Sequence, residues 1–276
     1  VDLGDPSEAT ARKAQLRRAV QQRRRRLTGE EITTRAQRLA EVLSGHISDR
    51  TTVAGYLPLP GEPDPRVFLE YHLRRNGGQP HPHGNSSDSD NSDGDGNSNG
   101  NSPSGAAGVY VPVIPEPPLR VLRWAAWTPQ VSLRRSRWLP VQEPLGPTWA
   151  LDDLLGSAFS SGDSPTESVP PQEIPGEEVR TGDRSRAHAA AALVVLCPAL
   201  GADASGRRVG QGGGYYDATL GSLLTALPAR WRAAVELIAV VHSEDLLPLG
   251  EIPAEAHDIR VDAVATERGI ISTRNH

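Results

Sequence analysis

Nine consecutive apolar residues, Ala189 to Cys197, are followed after Pro198 by a glycine-rich turn and then by helix-forming residues. An extended segment that is apolar at every position buries both of its faces, so it belongs inside a sheet covered on two sides. Residues 189–196 are therefore predicted as a buried strand, and the rest of the chain alternates in the same sense. Residues 9–26 are rich in Ala, Gln and Arg without Gly or Pro, which predicts a helix. Thr28 and Glu31 have capping-box spacing and open a second helix that runs to about Ser44. Residues 52–57 read as a strand that stops at Pro58. Asp64-Pro65 reads as a cap and first-turn proline for a helix ending near Gly77-Gly78. Strands are expected at 109–113, 236–241 and 261–266, and a helix at 216–227. No segment repeats. Such alternation implies an α/β chain with a mostly parallel sheet between helical layers.

Two stretches do not fit that alternation. Residues 81–108, HPHGNSSDSDNSDGDGNSNGNSPSGAAG, hold no aliphatic side chain larger than Ala, and residues 157–186 are rich in Ser, Pro, Glu and Asp. Neither can bury enough surface to offset its ordering entropy, so both are expected to be disordered insertions in one domain spanning 8–276. The first lacks the Gly and Glu positions of a calcium loop, and His81 and His83 have no third ligand, so they read as solvated. The net charge of −5 argues against a nucleic-acid binder. The two stretches together hold ten acids and three arginines, which leaves the rest mildly basic and suited to anionic ligands. A single cysteine, Cys197, excludes an internal disulfide and reads as a core residue. No apolar run approaches a membrane span and the first residues hold no apolar signal core, so a cytoplasmic protein without a membrane partner is expected.

Residues 206–220, GRRVGQGGGYYDATL, carry the chemistry. Gly210, Gly212, Gly213 and Gly214 allow successive backbone N–H groups to converge on an anion, and the helix behind them adds free N–H groups and a positive dipole end. Arg207 and Arg208 supply fixed charge for phosphate oxygens. The spacing is neither that of a P-loop nor that of a dinucleotide fingerprint. A plain glycine linker is the alternative, against which the following Tyr215, Tyr216 and Asp217 argue.

This segment resembles the signature of the 5-formyltetrahydrofolate cyclo-ligases, also called methenyltetrahydrofolate synthetases. The match runs through Gly206, Arg208, Val209, Gly210, Gly212, Gly214, Tyr215, Tyr216 and Asp217. It extends to Lys13 and Arg17, to Tyr56, Pro58 and Glu62, to Glu143-Pro144, and to the HDIRVDAVATERG segment. The resemblance implies a three-layer α/β/α, Rossmann-like fold that binds ATP with Mg²⁺ and a reduced folate. The implied reaction is ATP-dependent closure of 5-formyltetrahydrofolate to 5,10-methenyltetrahydrofolate, with release of ADP and phosphate.

By the same resemblance, Lys13, Arg17, Arg208, Gly210, Gln211, Gly212, Gly213, Gly214, Tyr215 and Tyr216 are expected at the ATP site. Arg208 and Tyr216 are expected closest to the chemistry. Asp217 and Asp258 are the expected metal carboxylates, although Asp217 also fits as a helix N-terminal acid. Asp262 reads as a structural acid. Glu62, Tyr56 and Trp124 are expected at the folate, and Trp124 and Trp127 equally fit ordinary burial. Arg207 is the weaker of the two arginines. Gln211 and Gly213 stand where family members can be basic, and the VHSEDLLP segment from Val241 departs from the pattern. A monomer is expected. The rival reading is an inactive nucleotide- or folate-binding regulatory member of the family.

Overall fold

A computed structural model describes residues 6–76, 108–159, 191–253, 255 and 258–273. The insertions expected at 81–108 and 157–186, with His81 and His83, lie outside the described residues except at their rims. Gly108 leads into a strand, and residues 157–159 close a 3-10 helix.

The first half holds α1 (Pro6–Arg24), α2 (Gly29–His46), β1 (Thr52–Ala54), α3 (Arg66–Arg75), β2 (Val109–Val113), β3 (Arg123–Ala126), β4 (Leu133–Arg135) and β5 (Gln142–Pro144). A 3-10 helix (Asp152–Phe159) precedes β6 (Leu193–Pro198), β7 (Gly201–Asp203), β8 (Arg208–Val209), α4 (Tyr215–Ala226), β9 (Val235–Val240), β10 (Leu246–Leu247), β11 (Ala263–Thr266) and β12 (Gly269–Ser272). The main sheet has the order β12-β11-β9-β6-β1-β2-β3. Its five inner strands are parallel, and β12 and β3 close the edges in antiparallel pairs.

The apolar run divides as its periodicity demands. Leu193, Val195 and Cys197 pack toward α4 through Leu220 and Leu223, and Leu151 with Leu154 and Leu155 of the 3-10 helix add to that side. Val194 and Leu196 face the opposite layer, against Leu39 and Leu43 of α2 and Phe68 and Leu69 of α3. The three-layer α/β/α arrangement is thus present. Gly55 admits α3 closely, since a Cβ there would lie 2.8 Å from a Leu69 methyl.

α2 begins with the reciprocal Thr28–Glu31 capping box. At α3 the cap position is Pro65 itself, while Asp64 accepts the Arg66 N–H at 2.9 Å. The strand expected at 52–57 ends at Ala54 because the chain turns away toward Pro58. The strand expected to start at Ala189 starts at Leu193, where sheet pairing takes over from local composition.

α1 has few apolar residues. Its Val20 packs on Leu200 and Val209, and buried Arg24 donates to Asp245 at 2.8 Å and to the Ala199 carbonyl at 2.8 Å. Among the described residues no helix is long and apolar enough to cross a membrane.

Candidate active site

From β1 the chain proceeds to β2 on one side, while β6 joins β1 on the other. The strand order therefore reverses between β1 and β6, the place where α/β sheets open a crevice beyond their carboxyl ends. A cavity of about 450 Å³ lies there. It is lined by Lys13 and Arg17 of α1, by the β1–α3 loop from Tyr56 to Glu62, by residues 139–142 ahead of and within β5, by residues 208–217, and by Glu255 and Asp258.

The glycine loop owes its path to local constraints. Gly206 turns at φ 80°, and a Cβ there would stand 2.5 Å from the Val261 carbonyl oxygen, so no other residue fits. β8 then pairs with β7 and sends Arg208 inward. Gly212 at φ 99° faces the Arg17 guanidinium, Gly213 lies against the Tyr215 ring, and Gly214 at φ 70° caps α4. Side chains at these three positions would fill the space in front of the α4 N-terminus.

The expected cations converge, but each has a partner. Lys13, 5% exposed, donates to Asp258 at 2.7 Å and also to Glu255. Arg17 Nε donates to the Gly210 carbonyl at 2.9 Å. Arg208 donates to Asp217 at 2.7 Å and to the Ile259 carbonyl. Arg207 does not line the cavity. In a site shielded from water, cations need such counter-charges. An entering polyphosphate would take over the cations and release the carboxylates.

Asp217 and Asp258 are hard oxygen donors on the cavity wall, of the kind magnesium takes together with phosphate oxygens and water. Among the described residues no group of three or more His, Cys, Asp or Glu could hold a metal unaided. The donor set thus suits magnesium that arrives with a nucleotide. Asp262 is structural as expected, bonded to Arg232 at 2.9 Å and to the Leu237 N–H.

The two tyrosines of the motif differ. Tyr216 lines the cavity with a buried hydroxyl that has no partner among the described residues, and burial pushes its phenol well above the ordinary range. A neutral O–H donor left unpaired at a cavity wall suits an incoming oxygen acceptor. Tyr56 also lines the cavity, but its hydroxyl proton is already donated to the Pro63 carbonyl at 2.7 Å, so unlike Tyr216 it has no O–H free to donate to a ligand.

Trp124 does not reach the cavity. It is fully buried, packs edge-on to Tyr216 at 6.4 Å, and exchanges backbone hydrogen bonds with Trp149. Its place on β3 turns it into the core, and it supports Tyr216 from behind. Trp127 lies in the layer beyond the sheet, among the α2 and α3 contacts. The cavity is instead walled by Leu139, Pro140 and Val141. Cys197 is buried with its thiol pushed up to about 12, which leaves it inert as a nucleophile.

Sequence reasoning missed Glu255, which no motif marks, and Arg120. An Arg120 guanidinium nitrogen lies 3.2 Å from where a Gly214 Cβ would stand, and Arg120 makes no ion pair among the described residues.

The 5-formyltetrahydrofolate cyclo-ligase family model matches residues 161–267, which include the glycine loop and Asp258. A 5-formyltetrahydrofolate cyclo-ligase of Mycolicibacterium smegmatis is 39% identical over 106 residues, covering 38% of this chain and 44% of that protein. A mitochondrial 5-formyltetrahydrofolate cyclo-ligase of Arabidopsis thaliana is 35% identical over 77 residues, 28% of this chain and 27% of its own length. These alignments span less than half of the curated relatives. The fold is similar to that of the 5,10-methenyltetrahydrofolate synthetase of Aquifex aeolicus, with a TM-score of 0.53 at 17% identity, covering 96% of this chain and 94% of that one. The Mycoplasma pneumoniae synthetase gives a TM-score of 0.50 at 13% identity, over 92% and 98% of the two chains.

Proposed function

We propose that this chain, which matches the 5-formyltetrahydrofolate cyclo-ligase family model over residues 161–267, closes 5-formyltetrahydrofolate to 5,10-methenyltetrahydrofolate at the expense of ATP. The observation that carries this reading is the convergence of Lys13, Arg17, Arg208 and the Gly212–Gly214 backbone on one cavity at the sheet's switch point. In the reaction the formyl oxygen attacks the γ-phosphorus and ADP leaves. The neighbouring folate nitrogen then attacks the formyl carbon and gives up its proton, the ring closes, and phosphate departs carrying the formyl oxygen and that proton.

Phosphoryl transfer of this kind needs positioning and charge neutralisation more than a protein nucleophile. Lys13, Arg17 and Arg208 are assigned to the phosphates, exchanging their present carboxylate and carbonyl partners for phosphate oxygens. Asp217 and Asp258 would hold magnesium, which when bound with ATP neutralises charge on the transferring phosphoryl group. Tyr216, neutral and unpaired, donates to an oxygen of the reacting centre. Glu62 accepts N–H donors of the folate ring, and the Tyr56 ring lies beside it.

The test is to mix the purified chain with 5-formyltetrahydrofolate and MgATP and to follow the methenyl product by absorbance. Product that depends on both substrates is expected. Tight nucleotide binding without product would overturn the enzyme reading in favour of a regulatory binding protein.

A further inference from the structure

The glycine loop and the Glu62 loop are joined by one side chain, Gln211. Glu62 is 6% exposed and has no ion pair among the described residues. One of its carboxylate oxygens accepts the Leu59 N–H at 2.9 Å, within a tight turn in which the Glu62 N–H returns to the Leu59 carbonyl at 3.0 Å. The other accepts from Gln211 Nε2 at 3.0 Å. A buried carboxylate without a cation depends on such donors both for its solvation and for its direction.

The polarity of this link is forced. A carboxylate only accepts, so the Gln211 amide must present its NH₂ to Glu62 and keep its oxygen for another donor. That donor is Gln21 Nε2, at 3.1 Å. Gln21 lies four residues beyond Arg17 on α1 and so on the same helix face, and Arg17 holds the adjacent Gly210 carbonyl. α1 therefore grips the loop at two successive residues, and the second of these sets the Glu62 carboxylate.

We propose that Gln211 is a positioning residue for Glu62, by which the phosphate-binding loop orients the carboxylate that receives the folate ring. The inference rests on the cyclo-ligase reading for the identity of the substrate. It assigns Gln211 a task at the folate end of the cavity in addition to its place in the loop.

The test uses the full chain with Gln211→Ala and, separately, Gln21→Ala, which removes the supporting donor from a solvent-accessible helix position. For Gln211→Ala, KM for 5-formyltetrahydrofolate should rise about tenfold while KM for ATP changes less than about twofold, the loss expected for one hydrogen bond to a charged group. Gln21→Ala should give the same pattern at about two- to threefold. Equilibrium binding of 5-formyltetrahydrofolate in the absence of nucleotide, followed by tryptophan fluorescence, should likewise weaken about tenfold in Gln211→Ala.

Equal increases in both KM values, or an increase for ATP alone, would overturn the proposal, because a merely structural role for the loop moves both substrates together. Folate binding without turnover by the unmodified chain would sink the enzyme reading while the binding comparison still decides the role of Gln211. Absence of folate binding by the unmodified chain would overturn both.

Discussion

Arg208 and its neighbours show how single positions divide between fold and chemistry. Its guanidinium sits between Asp217 and the Ile259 carbonyl, yet the Asp217 side chain is 29% exposed and can recover water if the arginine is removed. Arg208→Ala is therefore expected to cost about 1–2 kcal/mol of stability by urea denaturation, while kcat/KM for ATP falls about a hundredfold. Comparable losses in both would mean a structural residue. The glycines separate in the same way. Gly206→Ala drives a Cβ onto the fixed Val261 carbonyl, whereas Gly214→Ala meets the mobile end of Arg120. The first should destabilise by about 3 kcal/mol and the second by about 1 kcal/mol in urea titrations, with the second still impairing ATP use. The preference for Arg208 over Arg207 comes from the family resemblance, and of the two only Arg208 lines the cavity. The place of Trp124 was not legible, because its orientation depends on β3, a four-residue strand that composition does not announce. Glu255 escaped notice for another reason: its partner Lys13 lies 242 positions away.

Elements with strong local signals were legible, and those defined by their neighbours were not. The capping box fixed the start of α2, and low Gly and Pro content marked α1. The hairpin of β4 and β5 and the short strands β7, β8 and β10 are two or three residues long and exist only because each finds a partner. α1 was readable as a helix but not as one docked largely by ion pairs. α2 is likewise tied to the segment preceding β10 by a two-pronged bond from Arg35 to Glu244, at 2.6 and 2.8 Å. That hydrogen bond holds the Glu244 carboxyl down at about 2, against an ordinary value of 4.5. A depressed carboxyl stabilises the fold above its unfolded pKa and loses that contribution as pH falls. The contribution should be complete above about pH 4.5 and fade toward pH 2. Urea midpoints of the parent and Glu244→Gln should thus differ at pH 6 and converge at the acid end.

Across the whole molecule, the class of fold was legible because one apolar run demanded cover on both faces, and Leu196 meets that demand. It is fully buried against the α2–α3 layer, and Leu196→Ala should cost about 2–5 kcal/mol in a denaturation experiment. The strand order was not legible, since it arises from contacts between segments remote in sequence. The site follows from that order. Its first cation, Lys13, is clasped by Glu255 and Asp258 near the other end of the sequence described here. During synthesis, then, α1 and α2 can form well before the clasp, but the cavity gains its final wall only after Asp258 has left the ribosome. Lys13 precedes its partner Asp258 by 245 residues, so a nascent chain carries this lysine through all of that synthesis before the pocket closes around it, as a late and abrupt event.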